Sequence, residues 1–130
     1  MDTGKDYIDY RISKSHEVFA DANLLAQNAR WNSCVNRLYY SCFYLVTALL
    51  YKHKLKSETH NGAKIQFNLH FVKTGIVDKD SGKLYSNLFD WRQESDYADF
   101  IDFDEATVLP IIEQTKDFNN KLLELFKEEQ

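Results

Sequence analysis

The chain has 130 residues, a formal net charge of −4 and 44% hydrophobic residues, with nine Phe, eight Tyr, two Trp, four Gly and one Pro. That length makes one domain, residues 1–130, able to bury a core without disulfides or metal. An acidic whole disfavours loose nucleic-acid binding, which depends on neutralising phosphates. A charged, polar N-terminus does not read as a signal peptide, so a cytoplasmic location is expected.

The charge is uneven. Residues 52–83 carry seven Lys against three acids, whereas 84–130 carry twelve acids against four bases. The basic middle suits a local phosphate site. By count alone, solvated loop lysines are the preferred reading.

In chain order, the first helix is expected from about Lys5 to Ala29. Ile8, Ile12, Ser15, Phe19, Ala22, Ala26 and Ala29 keep a heptad spacing, widened by Val18 and Leu25. The connection is short, with Asn32 or Ser33 available as a cap, so the next helix returns antiparallel. That second helix, about 31–54, is the longest apolar segment of the chain. Val35, Leu38, Cys42, Leu45 and Leu49 form one face, and Tyr40, Tyr44, Thr47 and Tyr51 form a second. Ser33, Asn36, Arg37, Ser41 and Lys52 make a narrow polar strip. A helix apolar on so many sides is read as the centre of a bundle, with one face available to a dimer. A membrane span is argued against by Asn36, Arg37 and Ser41, each costly in lipid.

A polar connector follows, with a turn signal at Asn61-Gly62. A third helix, from about Ala63 to Lys73, offers Ile65, Leu69 and Val72, with Gly75 as its left-handed cap. The loop after it holds an Asp-x-Asp-x-Gly string, but the later acidic ligands of a calcium loop are missing. No cofactor or metal is expected. The fourth helix, about Lys83 to Tyr97, has Leu84, Leu88 and Trp91 on one face. Tyr85, Phe89, Arg92 and Asp96 lie on an adjacent one. Asp104 is the expected N-cap of the last helix, whose stripe is Val108, Ile111, Thr115, Phe118, Leu122 and Leu125. Pro110 either lies in its first turn, with a start near Leu109, or bends a helix begun at Asp104. The fold class is all-α, an up-and-down bundle of four to five helices.

Three places carry candidate chemistry. Arg92 and Asp96 share a helix face, followed by Tyr97; they are a surface ion pair or an oriented arginine for phosphate. Asn36-Arg37 and Tyr39-Tyr40 sit on the polar strip of the central helix. There Arg37 either pairs with an acid of another helix or faces the same cleft as Arg92. His60, in the connector, is a solvated loop residue or a ligand contact. Cys34 and Cys42 read as buried, reduced thiols, and Cys34 lacks neighbours that would make it a nucleophile.

From about Tyr10 to Leu125 the chain resembles the HEPN domain, in its branch of short stand-alone proteins. The resemblance rests on Asn36-Arg37-Leu38-Tyr39-Tyr40, His60-Asn61-Gly62, Phe67 to Gly75, and Leu88 to Tyr97 with its Arg-x-x-x-Asp-Tyr motif. It implies a bundle that often dimerises, with a cleft for nucleotides or RNA. Many members are metal-independent ribonucleases acting as toxins, using an Arg and a His separated by four to six intervening residues, assembled across a dimer. Arg92 matches the Arg, no His follows it, and Tyr97 stands after four intervening residues. The preferred expectation is a homodimeric binding module that holds a nucleotide or RNA end, or pairs with a small nucleotidyltransferase as half of a toxin–antitoxin-like system. Arg92, Arg37, Asn36, Tyr40 and His60 would hold the ligand, with Asp96 orienting Arg92 and Tyr97 or Tyr40 stacking. The alternatives are a divergent endoribonuclease using Arg92 with Asp96 or Tyr97, and a protein-interaction bundle.

Overall fold

The computed structural model describes residues 3–97 and 102–128, with the side chains of residue 3 and of 93–97 outside that description. It is all-α. The elements are α1 (Thr3–Gln27), α2 (Trp31–Lys52), α3 (His60–Phe67) continued by a π-helical turn (Asn68–Val72), α4 (Lys79–Tyr97) and α5 (Glu105–Glu128). No described helix is long and apolar enough to cross a membrane.

The central position of α2 follows from its composition, since a helix apolar on several sides must be covered on several sides. It packs against α1, α3, α4 and α5. Val35, Leu38, Cys42, Leu45 and Leu49 are all fully buried. Both cysteines are buried and free, and burial pushes the Cys34 thiol up to about 11. Ser41, expected on the polar strip, is also fully buried. It joins three helices. Ser15 Oγ of α1 donates to the Ser41 carbonyl at 2.7 Å, and Asn119 Nδ2 of α5 donates to Ser41 Oγ at 3.1 Å. Spacing alone gives Ser41 an outward position only while α5 is left out of account.

The helix ends depart from expectation in informative ways. α1 stops before Ala29, which takes a left-handed φ of 57°. Arg30 N then donates to Leu25 O at 2.9 Å and Ala29 N to Ala26 O at 3.1 Å, closing the helix in the manner usually made with glycine. Lys54, φ 59°, does the same for α2, with Leu55 N on Leu50 O at 2.9 Å. The expected caps Asn32 and Ser33 are not used, because α2 already starts at Trp31. Asn32 Oδ1 instead accepts from Phe103 N at 2.9 Å, tying down the chain before α5.

α3 starts three residues earlier than expected, at His60. Thr59 Oγ1 accepts from Gly62 N at 2.8 Å and caps it. Asn61-Gly62 is therefore helix, not turn, and a Cβ at Gly62 would lie 2.9 Å from Thr59 Oγ1. The buried face is Ala63, Phe67 and Phe71, while Ile65 and Leu69 are exposed. The π-helical turn, with Lys73 N on Asn68 O at 2.8 Å, inserts a residue into the helical period, so Val72 does not continue the face read from spacing. Gly75, φ 84°, ends this segment as expected.

α4 begins inside the expected loop because Asp78 caps it. Ser81 N donates to Asp78 Oδ2 at 3.1 Å, and Lys121 Nζ of α5 reaches Asp78 Oδ1 at 3.1 Å. The Asp-x-Asp-x-Gly string is thus a helix start. Asp104 caps α5 through Thr107 N at 2.9 Å, as expected. Pro110 lies inside α5, and the inward stripe ends on Phe126, not Leu125.

Candidate functional site

The helices that cross α2 bring distant sequence positions to one side of it. α2 contributes Asn36, Arg37, Tyr39, Tyr40 and Phe43; α3 contributes His60 and Lys64; α4 contributes Phe89 and Arg92. Tyr39 is the hub. Its ring is fully buried and stacks on Tyr85 with centroids 6.0 Å apart and planes 7° apart. Its hydroxyl shares a 2.8 Å hydrogen bond with His60 Nδ1. Over the same ring, 5.1 Å from its centroid, lies the Arg92 guanidinium, which is also 5.9 Å from the Phe89 ring. Stacking fixes the plane of the guanidinium and so aims its fork of donors.

His60 is half-buried between aromatic rings. Its centroid lies 4.4 Å from that of Phe43 and 5.7 Å from that of Tyr40, edge-on. Burial, and then the charge of Arg92, hold its pKa below the usual 6.5. The imidazole is therefore neutral near pH 7. Burial also raises the Tyr39 phenol well above its usual range, so Tyr39 stays protonated. When Tyr39 donates to Nδ1, the Nε2 hydrogen serves an anion. When Nδ1–H donates to Tyr39, Nε2 can take a proton.

Arg37 is not paired with an acid among the described residues. Its Nε and one terminal nitrogen donate to Asn36 Oδ1 at 3.1 and 2.7 Å, and the guanidinium lies 5.0 Å over Tyr40. Tyr40 in turn meets the ring of Tyr39 edge-on, with centroids 5.1 Å apart. Lys64 Nζ, 4.3 Å over Phe89, adds a further cation.

Of the candidate residues, Asn36, Arg37, Tyr40, His60 and Arg92 come together. The side chains of Asp96 and Tyr97, and with them the expected Arg92–Asp96 contact, lie outside the described residues. Sequence reasoning missed Phe43, Lys64 and Phe89, and gave Tyr39 no separate role. The available signal was the run of aromatics at positions 39, 40 and 43, too many for one buried face. A cavity of about 790 Å³ between α1, the end of α2, the connector after it and α5 is lined by none of these residues.

The profile of the HEPN domain family matches residues 8–126. A UPF0332 protein of Thermotoga maritima is 37% identical over 128 residues, covering 98% of this chain and 97% of its own. A UPF0332 protein of Archaeoglobus fulgidus is 28% identical, covering 89% and 92%. A Methanocaldococcus jannaschii protein named "Putative toxin MJ0142" is 26% identical, covering 90% of this chain and 80% of its own.

Proposed function

Because the chain belongs to the HEPN domain family, we propose that it is a helical module that binds a nucleotide or single-stranded RNA. Arg92 and His60 hold a phosphate, and Tyr40 offers its half-buried face to a base. One observation carries this reading: Arg92 and His60, 32 positions apart in sequence, converge on the single buried ring of Tyr39. Arg37 extends the cationic side, with Asn36 occupying part of its donor fork and leaving the rest to a phosphate. The relative named as a putative toxin supports a toxin-like role; a homodimer and a small nucleotidyltransferase partner are proposed with it.

The position of His60 favours a second reading. The motif lacks a His after Arg92, but the fold supplies one from α3, neutral near pH 7. Such a group can accept the proton of a ribose 2′-hydroxyl as its oxygen bonds to phosphorus and the P–O5′ bond breaks, and the imidazolium so formed returns the proton to the departing 5′ oxygen, while Arg92 stabilises the charge on the phosphoryl oxygens, a metal-independent cleavage of RNA.

The deciding experiment compares wild type, Arg92→Ala and His60→Asn on labelled single-stranded RNA in EDTA. Binding without cleavage, weakened in both variants, supports the module. Cleavage lost in both variants supports the ribonuclease. No binding of RNA or nucleotide by wild type refutes both and leaves a protein-interaction bundle. Co-purification and light scattering test the nucleotidyltransferase and the dimer.

A further inference from the structure

A groove of about 370 Å³ runs between α1, α2 and the connector before α3, and one of its walls is His60. It adjoins the seat formed by Arg92 and His60. From the geometry we infer that this groove is a second subsite for the same strand, centred on Arg11. The inference rests on that seat holding a phosphate. The ligand is then an RNA single strand at least two nucleotides long, in preference to a mononucleotide.

Arg11 is the first support. Its guanidinium lies 5.1 Å over Tyr7 and 5.3 Å over Tyr44. Among the described residues no carboxylate pairs with it. An arginine clamped between two aromatic rings and left without an acid keeps its planar donors for an outside anion. The second support is continuity. Arg37 lies over Tyr40 and Arg11, from α1, lies over Tyr44, and these two tyrosines, one turn apart on α2, have ring centroids 6.3 Å apart. His60 and Phe43, with ring centroids 4.4 Å apart and planes tilted by 37°, both line the groove and link the two seats.

The third support is a surface for a base. Tyr7 and Tyr51 meet with centroids 4.4 Å apart, and Tyr51 remains 45% exposed. Such faces stack on any base and give affinity with little sequence preference. Lys56 also lines the groove, and Glu58 is its one carboxylate.

The test measures binding of labelled uridylate oligomers of one, two and four nucleotides to wild type, Arg11→Ala, Lys56→Ala and Arg92→Ala. Circular dichroism confirms that each variant is folded. Wild type should bind the four-nucleotide probe about tenfold or more tighter than the single nucleotide. Arg11→Ala should remove that gain and leave mononucleotide affinity within about twofold. Lys56→Ala, an exposed change, should flatten the salt dependence for the longer probe only. Arg92→Ala should weaken every length. A length gain that survives in Arg11→Ala overturns the subsite, as does mononucleotide binding with no length gain, while the reading of the Arg92 seat stands. Loss of a dimer in Arg11→Ala by light scattering, with no length effect, overturns it in favour of a contact between two copies. Failure of every probe to bind wild type removes the seat and the subsite together.

Discussion

Replacing Ser41 by alanine removes one oxygen from the centre of the bundle. Ser41 Oγ donates to Leu38 O at 2.7 Å and accepts from Asn119 Nδ2 at 3.1 Å. Leu38 O sits within a helix and loses little. Asn119 is 7% exposed, so water cannot readily replace the lost acceptor. Stranding a buried donor costs about 1–3 kcal/mol. With an unfolding entropy of roughly 0.27 kcal/mol/K for a chain of this length, that is about 4–11 °C in Tm. Thermal and urea unfolding of Ser41→Ala, Asn119→Leu and the double variant would measure it. The double variant should recover most of the loss, because removing both polar partners leaves none unsatisfied. A Ser41→Ala change below about 0.5 kcal/mol, or a double variant as weak as the sum of the singles, would refute the Ser41–Asn119 link between α2 and α5.

The pH dependence of ligand binding follows from His60, whose pKa lies below 6.5. Affinity for a phosphate probe should rise as pH falls through that pKa, because the protonated imidazole is gained in the complex, and His60→Asn should flatten the profile in a titration series. Folding has the opposite sign: a depressed histidine pKa stabilises the protein above 6.5 and loses that contribution as pH falls below it. RNA cleavage with His60 as base would also fall as pH drops, so the sign of the profile separates the two readings. Ala29→Gly and Lys54→Gly should each raise stability by about 0.5–1 kcal/mol in urea unfolding, since both residues sit at positive φ. Gly82→Ala should cost about 1–3 kcal/mol by the same measurement. A Cβ there would lie 2.8 Å from both Val72 methyl carbons.

Much of the fold is legible in the sequence. The buried face of α2, the cap at Asp104 and the left-handed Gly75 are local matters of periodicity, hydrogen bonding and backbone freedom, and a single stretch of chain carries each of them. The misreadings share a cause. Asn61-Gly62 looks like a turn until Thr59 is seen to cap the helix across it. Ile65 and Leu69 look like a core face until Ala63, Phe67 and Phe71 are seen to be the side turned inward. Ala29 and Lys54 end helices without the glycine that would announce it.

The candidate site is only half legible. Arg92, Arg37 and His60 each stand out in the sequence, where the motif around Arg92 lacks its histidine. That His60 lies beside Arg92 depends on the angle at which α3 and α4 meet α2, and no spacing within one helix encodes it. Arg11 looks like one more polar position on α1, because the two tyrosines that hold it come from its own turn and from α2. The all-helical class, the apolar centre at α2 and the residue types able to hold a phosphate are properties of the chain's own order, since they follow from local periodicity and side-chain chemistry. Packing settles the rest: Ser41 is buried, Arg37 lies over the ring of Tyr40, and a histidine from α3 and an arginine from α4 meet at the ring of Tyr39. Contacts between segments far apart in the chain are fixed by the angles and distances at which whole helices meet, which no local pattern of residues specifies.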